Sequence, residues 1–137
     1  MANELVLMWD LEPAIPFTCA DGTGIEKGTL LELQDPFTVR KVTGAAPSVI
    51  GVAAEEKVAN DGNTTVAVIM RGVFKVTAGG SITVGDGVIA ENATNEVLTA
   101  PASADNADVF GIALETATDG QTFLLLFNAG IGGSVES

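Results

Sequence analysis

The chain has 137 residues, 47% of them hydrophobic, with 18 acidic against 6 basic side chains and a net charge of −12. It is long enough for one domain, or for two very small β-units sharing a core, and too poor in clustered Lys and Arg to favour a nucleic acid or an anionic membrane surface as partner. With no His and a single Cys, Ser-His-Asp and Cys-His nucleophiles, His-containing zinc sites and an intrachain disulfide are excluded.

Residues 1–24 read as an extended arm preceding the body of the chain. Leu5, Leu7, Trp9 and Leu11 fall at every second position, so they are expected on one side of an extended chain with Asp10 and Glu12 on the other. Pro13 and Pro16 hold the next stretch extended and bar a helix. Leu5, Leu7, Trp9, Leu11, Ile15 and Phe17 are therefore the candidate interface, an arm that adds to a neighbouring chain with Trp9 as its anchor. The competing expectation is that this arm packs on its own domain as an extra edge strand. The opening MANELVLMWDLEP lacks the basic start of a secretory signal, and no apolar run approaches the ~20 residues of a membrane span. A soluble protein made in a cytoplasm is expected. Cys19 is expected to be a small apolar residue in a partly buried segment, because no basic neighbour in sequence would activate it.

Beyond the arm, short apolar runs of β-type composition follow one another at 29–33, 37–42, 49–54, 64–70, 73–77, 88–91, 109–114 and 121–127. The runs at 64–70 and 121–127 are each entered through an Asp-Gly turn. Residues 53–59 could form one helical turn, 100–107 read as a loop, and 131–137 as a flexible Gly/Ser-rich tail. The class is all-β, a small compact barrel or sandwich of short strands in a single domain over 25–130.

That domain repeats itself. VIGVAAEE at 49–56 returns as VFGIALET at 109–116, Ile25-x-x-Gly28 as Ile82-x-x-Gly85, and Asp61-Gly62 as Asp119-Gly120. Landmarks in the same order at near-constant offset predict a duplicated unit spanning 25–72 and 82–130. Gly51 and Gly111 fall inside strands, where glycine marks a bulge or a close backbone approach, and are expected where the two units touch.

Chemistry is hard to find. The Gly-rich stretch around 22–29 has no Gly-Lys-Ser/Thr order. Asp35, Asp61, Asp86, Asp105, Asp108 and Asp119 are spread among turns, where Asp caps its own turn, and do not form a spaced calcium loop. Glu55, Glu56, Glu91, Glu96 and Glu115 could meet in space as acid–base partners, but one Trp and no Tyr make a poor sugar platform. No catalytic residue, cofactor or metal is assigned.

The order of segments carries a resemblance. Gly28-Thr-Leu-Leu31, Val49-Ile-Gly-Val-Ala53, Val66-Ala-Val-Ile69, Arg71-Gly-Val-Phe-Lys75, Ile82-Thr-Val-Gly-Asp-Gly-Val88 and Phe110-Gly-Ile-Ala-Leu114, followed by a last apolar strand, resemble the head decoration (capsid cement) proteins of tailed double-stranded DNA phages over about residues 20–128. The resemblance implies a β-tulip-like structural virion protein, not an enzyme. It would bind the major capsid protein on the outer surface of the expanded capsid. It would do so as homotrimers at threefold and quasi-threefold sites, stabilising the shell against DNA pressure, with the N-terminal arm making contacts. The rival readings are another virion or cell-surface β module, such as a tail or fibre component, and a small calcium- or carbohydrate-binding domain.

Overall fold

The structure is a computed structural model that describes residues 3–43, 49–91, 94–100 and 109–128. The expected tail at 131–137, most of the expected loop at 100–107, and Asp105 and Asp108 lie outside these residues. The described chain forms strands β1 (Val6–Asp10), β2 (Ile15–Thr18), β3 (Leu30–Asp35), β4 (Thr38–Lys41), β5 (Val49–Ala53), β6 (Thr65–Ile69), β7 (Arg71–Thr77), β8 (Gly87–Glu91), β9 (Glu96–Thr99), β10 (Gly111–Ala113) and β11 (Thr122–Asn128). Every predicted run overlaps one of these strands, so the all-β class holds. The segment 53–59 makes no helical turn. Lys57 instead exchanges backbone hydrogen bonds with Ile25, at 2.9 and 2.7 Å.

Two layers result. Strands β2-β4-β3-β5-β6 close into a barrel, and a six-stranded antiparallel sheet runs β1-β7-β11-β10-β8-β9. Inside the barrel Phe17, Cys19, Ile25, Leu31, Val39, Val66 and Val68 pack together. The larger core draws Leu30, Val52 and Ile69 from the barrel and Phe74, Phe110, Phe123, Leu125 and Phe127 from the sheet side, cementing one layer to the other. At roughly 25 cal/mol per Å² of apolar surface removed from water, each fully buried Phe is worth a few kcal/mol.

The sequence repeat has a counterpart in the backbone. Ile82 and Ala117 exchange the same pair of hydrogen bonds as Ile25 and Lys57, at 2.8 and 2.9 Å. Gly28 N–H donates to Ala53 and Gly85 N–H to Ala113, at 2.9 and 2.8 Å. The stretch containing β3–β6 lies in the barrel, whereas that containing β8, β10 and β11 lies in the open sheet.

The glycines of the repeated octapeptides are placed differently from expectation. A Cβ at Gly51 would press on Val68 and come within 2.6 Å of the Ile69 carbonyl oxygen; at Gly111 it would lie 2.5 Å from that of Leu126. Each glycine thus touches a strand of its own half, β6 or β11, because the neighbouring backbone crosses where a side chain would stand.

The N-terminal residues are also corrected. They do not stand apart from the body as an arm. β1 pairs antiparallel with β7 at the edge of the sheet, and β2 pairs with β6 and β4 to close the barrel. A bulge between Leu7 and Trp9 breaks the alternation: Leu7 pairs with buried Phe74, Trp9 with half-exposed Val73. An extra residue in one strand reverses the facing of all that follows. Leu7 and Trp9 therefore point to opposite sides of the sheet.

Candidate interaction surface

β1 has one neighbour, and its other edge is free among the described residues, a row of backbone donors and acceptors open to a partner. Its apolar side chains stay exposed: Val6, Leu7, Met8 and Trp9 in the strand and Leu11 just after it, with Trp9 59% accessible. A lone edge strand has no second layer over it, so side chains that would be buried elsewhere remain in water.

The structure divides the candidate interface residues into two groups. Leu5 and Phe17 are buried, Leu5 in the core between the layers and Phe17 inside the barrel, and Ile15 packs half-buried against the barrel core. These hold the strand in place and offer little to a partner. Leu7, Trp9 and Leu11 remain available, joined by Val6 and Met8, which strict alternation had set aside.

A second exposed aromatic was missed. Phe37 is 60% accessible and stacks on Phe17, ring centroids 4.5 Å apart. It has φ 52°, a value rare for an aromatic residue, in the β3–β4 turn directly after Pro36. Its carbonyl accepts the Thr18 N–H at 3.0 Å, which fixes the turn against β2. The Asp35-Pro36 pair was the available signal for that turn.

Four of the charged groups considered for chemistry, Glu55, Glu115, Asp61 and Asp86, bond the backbone of the fold. Glu55 accepts the Ala67 N–H at 3.2 Å and Glu115 the Leu124 N–H at 3.0 Å, which accounts for the glutamate shared by the octapeptides. Glu91 and Glu96 face each other across β8 and β9. Asp61 and Asp86 cap their turns through the Asn63 and Thr83 N–H groups. Among the described residues no three His, Cys, Asp or Glu side chains gather as a metal site.

Lys57 is the most constrained ion. Its side chain is 1% exposed, and its ammonium donates to Asp21 Oδ1 at 2.9 Å, Asp61 Oδ1 at 2.8 Å and the Val58 carbonyl at 2.6 Å. Burial alone would lower its pKa, but the hydrogen bonds to Asp61 and Asp21 outweigh that and raise it. The Lys57 hydrogen bond, with that from Asn63, holds Asp61 below the usual carboxylate range. Cys19 is buried, and that burial pushes its thiol up, as for an inert core cysteine.

Among the described residues, the exposed large apolar side chains lie mostly on the edge strand β1 and in turns. Its sequence matches the family profile described as phage cement protein over residues 10–127. The chain belongs to that family. The cement protein is thus a structural protein associated with the phage head. Its fold is shared with the N base of head fiber gp8.5 of bacteriophage phi29, at a TM-score of 0.55 and 22% identity, covering 90% of this chain and 99% of that one. No curated protein matches it. Among the described residues, the exposed strand β1 and the Phe37 turn present the most accessible aromatic side chains, Trp9 and Phe37, to a partner.

Proposed function

We propose that this protein, made in the host cytoplasm, binds the outer surface of the expanded capsid as trimers at threefold and quasi-threefold sites. There it holds the shell against the pressure of packaged DNA, without catalysis, and the exposed part of β1, Leu7, Trp9 and Leu11 with Met8, lies on the major capsid protein. The observation that carries this reading is the free apolar edge of β1, with Trp9 at 59% accessibility. Such an edge would aggregate unless a partner covered it. Covering the exposed part of Trp9 removes roughly 150 Å² from water, about 3–4 kcal/mol before ordering costs. A trimer multiplies that anchor through effective concentration.

The test is Trp9→Ala, measured as binding of purified protein to empty expanded heads. Binding should weaken at least about tenfold, as for an aromatic hot spot, with the thermal midpoint little changed. Undiminished binding would remove the role given to β1. A point substitution is the right instrument here, since deleting residues 1–15 would also strip Leu5 from the core and Ile15 from β2. The second reading, a fibre-type component, is equally compatible with the fold shared with the head fiber base; failure of the unmodified protein to bind heads would favour it.

A further inference from the structure

We propose that the outward face of β7, β11 and β10 is where one copy of this chain binds a second copy, head to tail. The inference rests on the trimeric cement reading and assigns the face that builds the trimer.

In β11 the buried side chains are Phe123, Leu125 and Phe127, yet the positions between them, Leu124 and Leu126, are apolar too and only half-covered. Register places Val73 and Ile112 on either side of Leu126, and both are also half-exposed. A strand in an antiparallel sheet with one wet face alternates apolar with polar residues; one that is apolar on both faces is built to be covered on both. The barrel half provides an internal comparison. The Ala54 N–H donates to the Ala67 carbonyl just as that of Leu114 does to Leu124, at 2.9 and 2.8 Å, and Glu55 and Glu115 accept from the corresponding strands, β6 and β11. On matching backbones, Ala54 and Ala67 are replaced by Leu114, 42% exposed, and Leu124. The sheet half therefore carries larger apolar groups at positions where the barrel half makes do with alanine.

Charge indicates the occupant. Arg71 and Lys75, two of the chain's six cations, stand on this face, and none of the residues of β7, β11 or β10 is acidic. The rest of the chain then carries −14 (−12 less +2). This is the face with which one copy can approach the acidic surface of another at least electrostatic cost. Like face against like face would oppose Arg71 and Lys75 to themselves. A head-to-tail contact sets them against carboxylates, and such contacts close into a ring where the rotation between successive copies returns to the first. At the β1 end the face meets Trp9, paired with Val73, so it is contiguous with the edge proposed for the capsid.

The experiment is sedimentation of the full chain in about 0.15 M salt, where the Debye length is about 8 Å, with binding to empty expanded heads measured in parallel. Leu126→Asp is compared with Val84→Asp, the same charge change at an apolar residue exposed outside the face. Because Leu126 is half-buried, Lys75→Glu is compared with Lys27→Glu, both residues being exposed. Relative to its control, Leu126→Asp should weaken self-association at least about tenfold, the least that an unpaired buried charge costs, and Lys75→Glu at least about twofold, since it turns a weak attraction into repulsion. If both associate as their controls do, the face is wrong and the trimer stands. If Leu126→Asp self-associates normally but fails to bind heads, the face meets the capsid and the inference falls. If the unmodified protein stays monomeric yet decorates heads, both this face and the solution trimer fall, while the cement reading survives.

Discussion

Asn95 is 4% exposed and holds three backbone groups with one amide. Its Oδ1 accepts the Leu30 N–H at 2.8 Å, and its Nδ2 donates to the carbonyls of Gly28 at 2.9 Å and Asn3 at 2.8 Å. It ties the turn before β9 to the start of β3 and to the N-terminus. It does so with φ 66°, a conformation asparagine tolerates better than most side chains. Asn95→Gly keeps the backbone angle and strands the buried groups, which should cost about 1–3 kcal/mol. Asn95→Ala adds about 1–2 kcal/mol of backbone strain. Urea midpoints should therefore rank wild type above Gly above Ala, and a Gly variant as stable as wild type would make the tie worthless. None of this was legible in Thr94-Asn95-Glu96, which reads as an ordinary polar turn: the amide's partners lie 65 to 92 residues away. By contrast, Gly51 and Gly111 were legible as close approaches because a strand glycine is a local signal. Which strand approached was not.

Elements were legible where their pattern is local and obscure where tertiary pairing decides. The apolar runs of β3 to β8, β10 and β11 declare themselves, whereas β9 has only Val97 and Leu98 to recommend it and is held by β8. β1 was visible as an extended apolar segment. Its bulge was not, and neither was β7, its partner more than sixty residues on. Two of the six candidate interface residues, Leu5 and Phe17, thus belong to the cores, and a third, Ile15, packs half-buried against the barrel. The loop pair around Lys57 was missed for the same reason, since Asp21 and Asp61 meet that ammonium only once β2 and β6 are paired. That tie predicts a pH window. Asp61 is held below its ordinary value of 3.8, so its contribution is complete above that pH and lost as pH falls through the lower folded value. Lys57 is raised above 10.5, so its contribution is complete below that pH and lost as pH rises through the higher folded value. The thermal midpoint of wild type should exceed that of Lys57→Met most between about pH 4 and 10, and the gap should narrow outside it. A gap that is constant with pH would mean that Lys57 acts through packing alone.

At the scale of the whole molecule the governing quantity is charge. Three chains at −12 bring 36 negative charges together (3 × 12). A chain of this length has a radius of gyration near 14 Å, so the centres of two touching copies sit roughly 30–40 Å apart. At the nearer of these distances two such bodies repel by roughly 20 kcal/mol in ion-free water. Behind a Debye length of about 10 Å, at 0.1 M salt, that falls to about 1 kcal/mol. The attraction that salt also weakens is smaller: exposed pairs made by Arg71 and Lys75 contribute about 0.2–1 kcal/mol each. Repulsion therefore dominates at low salt, and screening should favour assembly. Sodium chloride is the salt to use, since sulfate would strengthen apolar burial as well and confuse the cause. Sedimentation from about 0.01 to 0.3 M, where the Debye length falls from about 30 Å to below 10 Å, should show self-association tightening at least about tenfold. A trimer that comes apart as salt rises would show the reverse balance, with Arg71 and Lys75 holding the ring by charge and the apolar face of β11 contributing little.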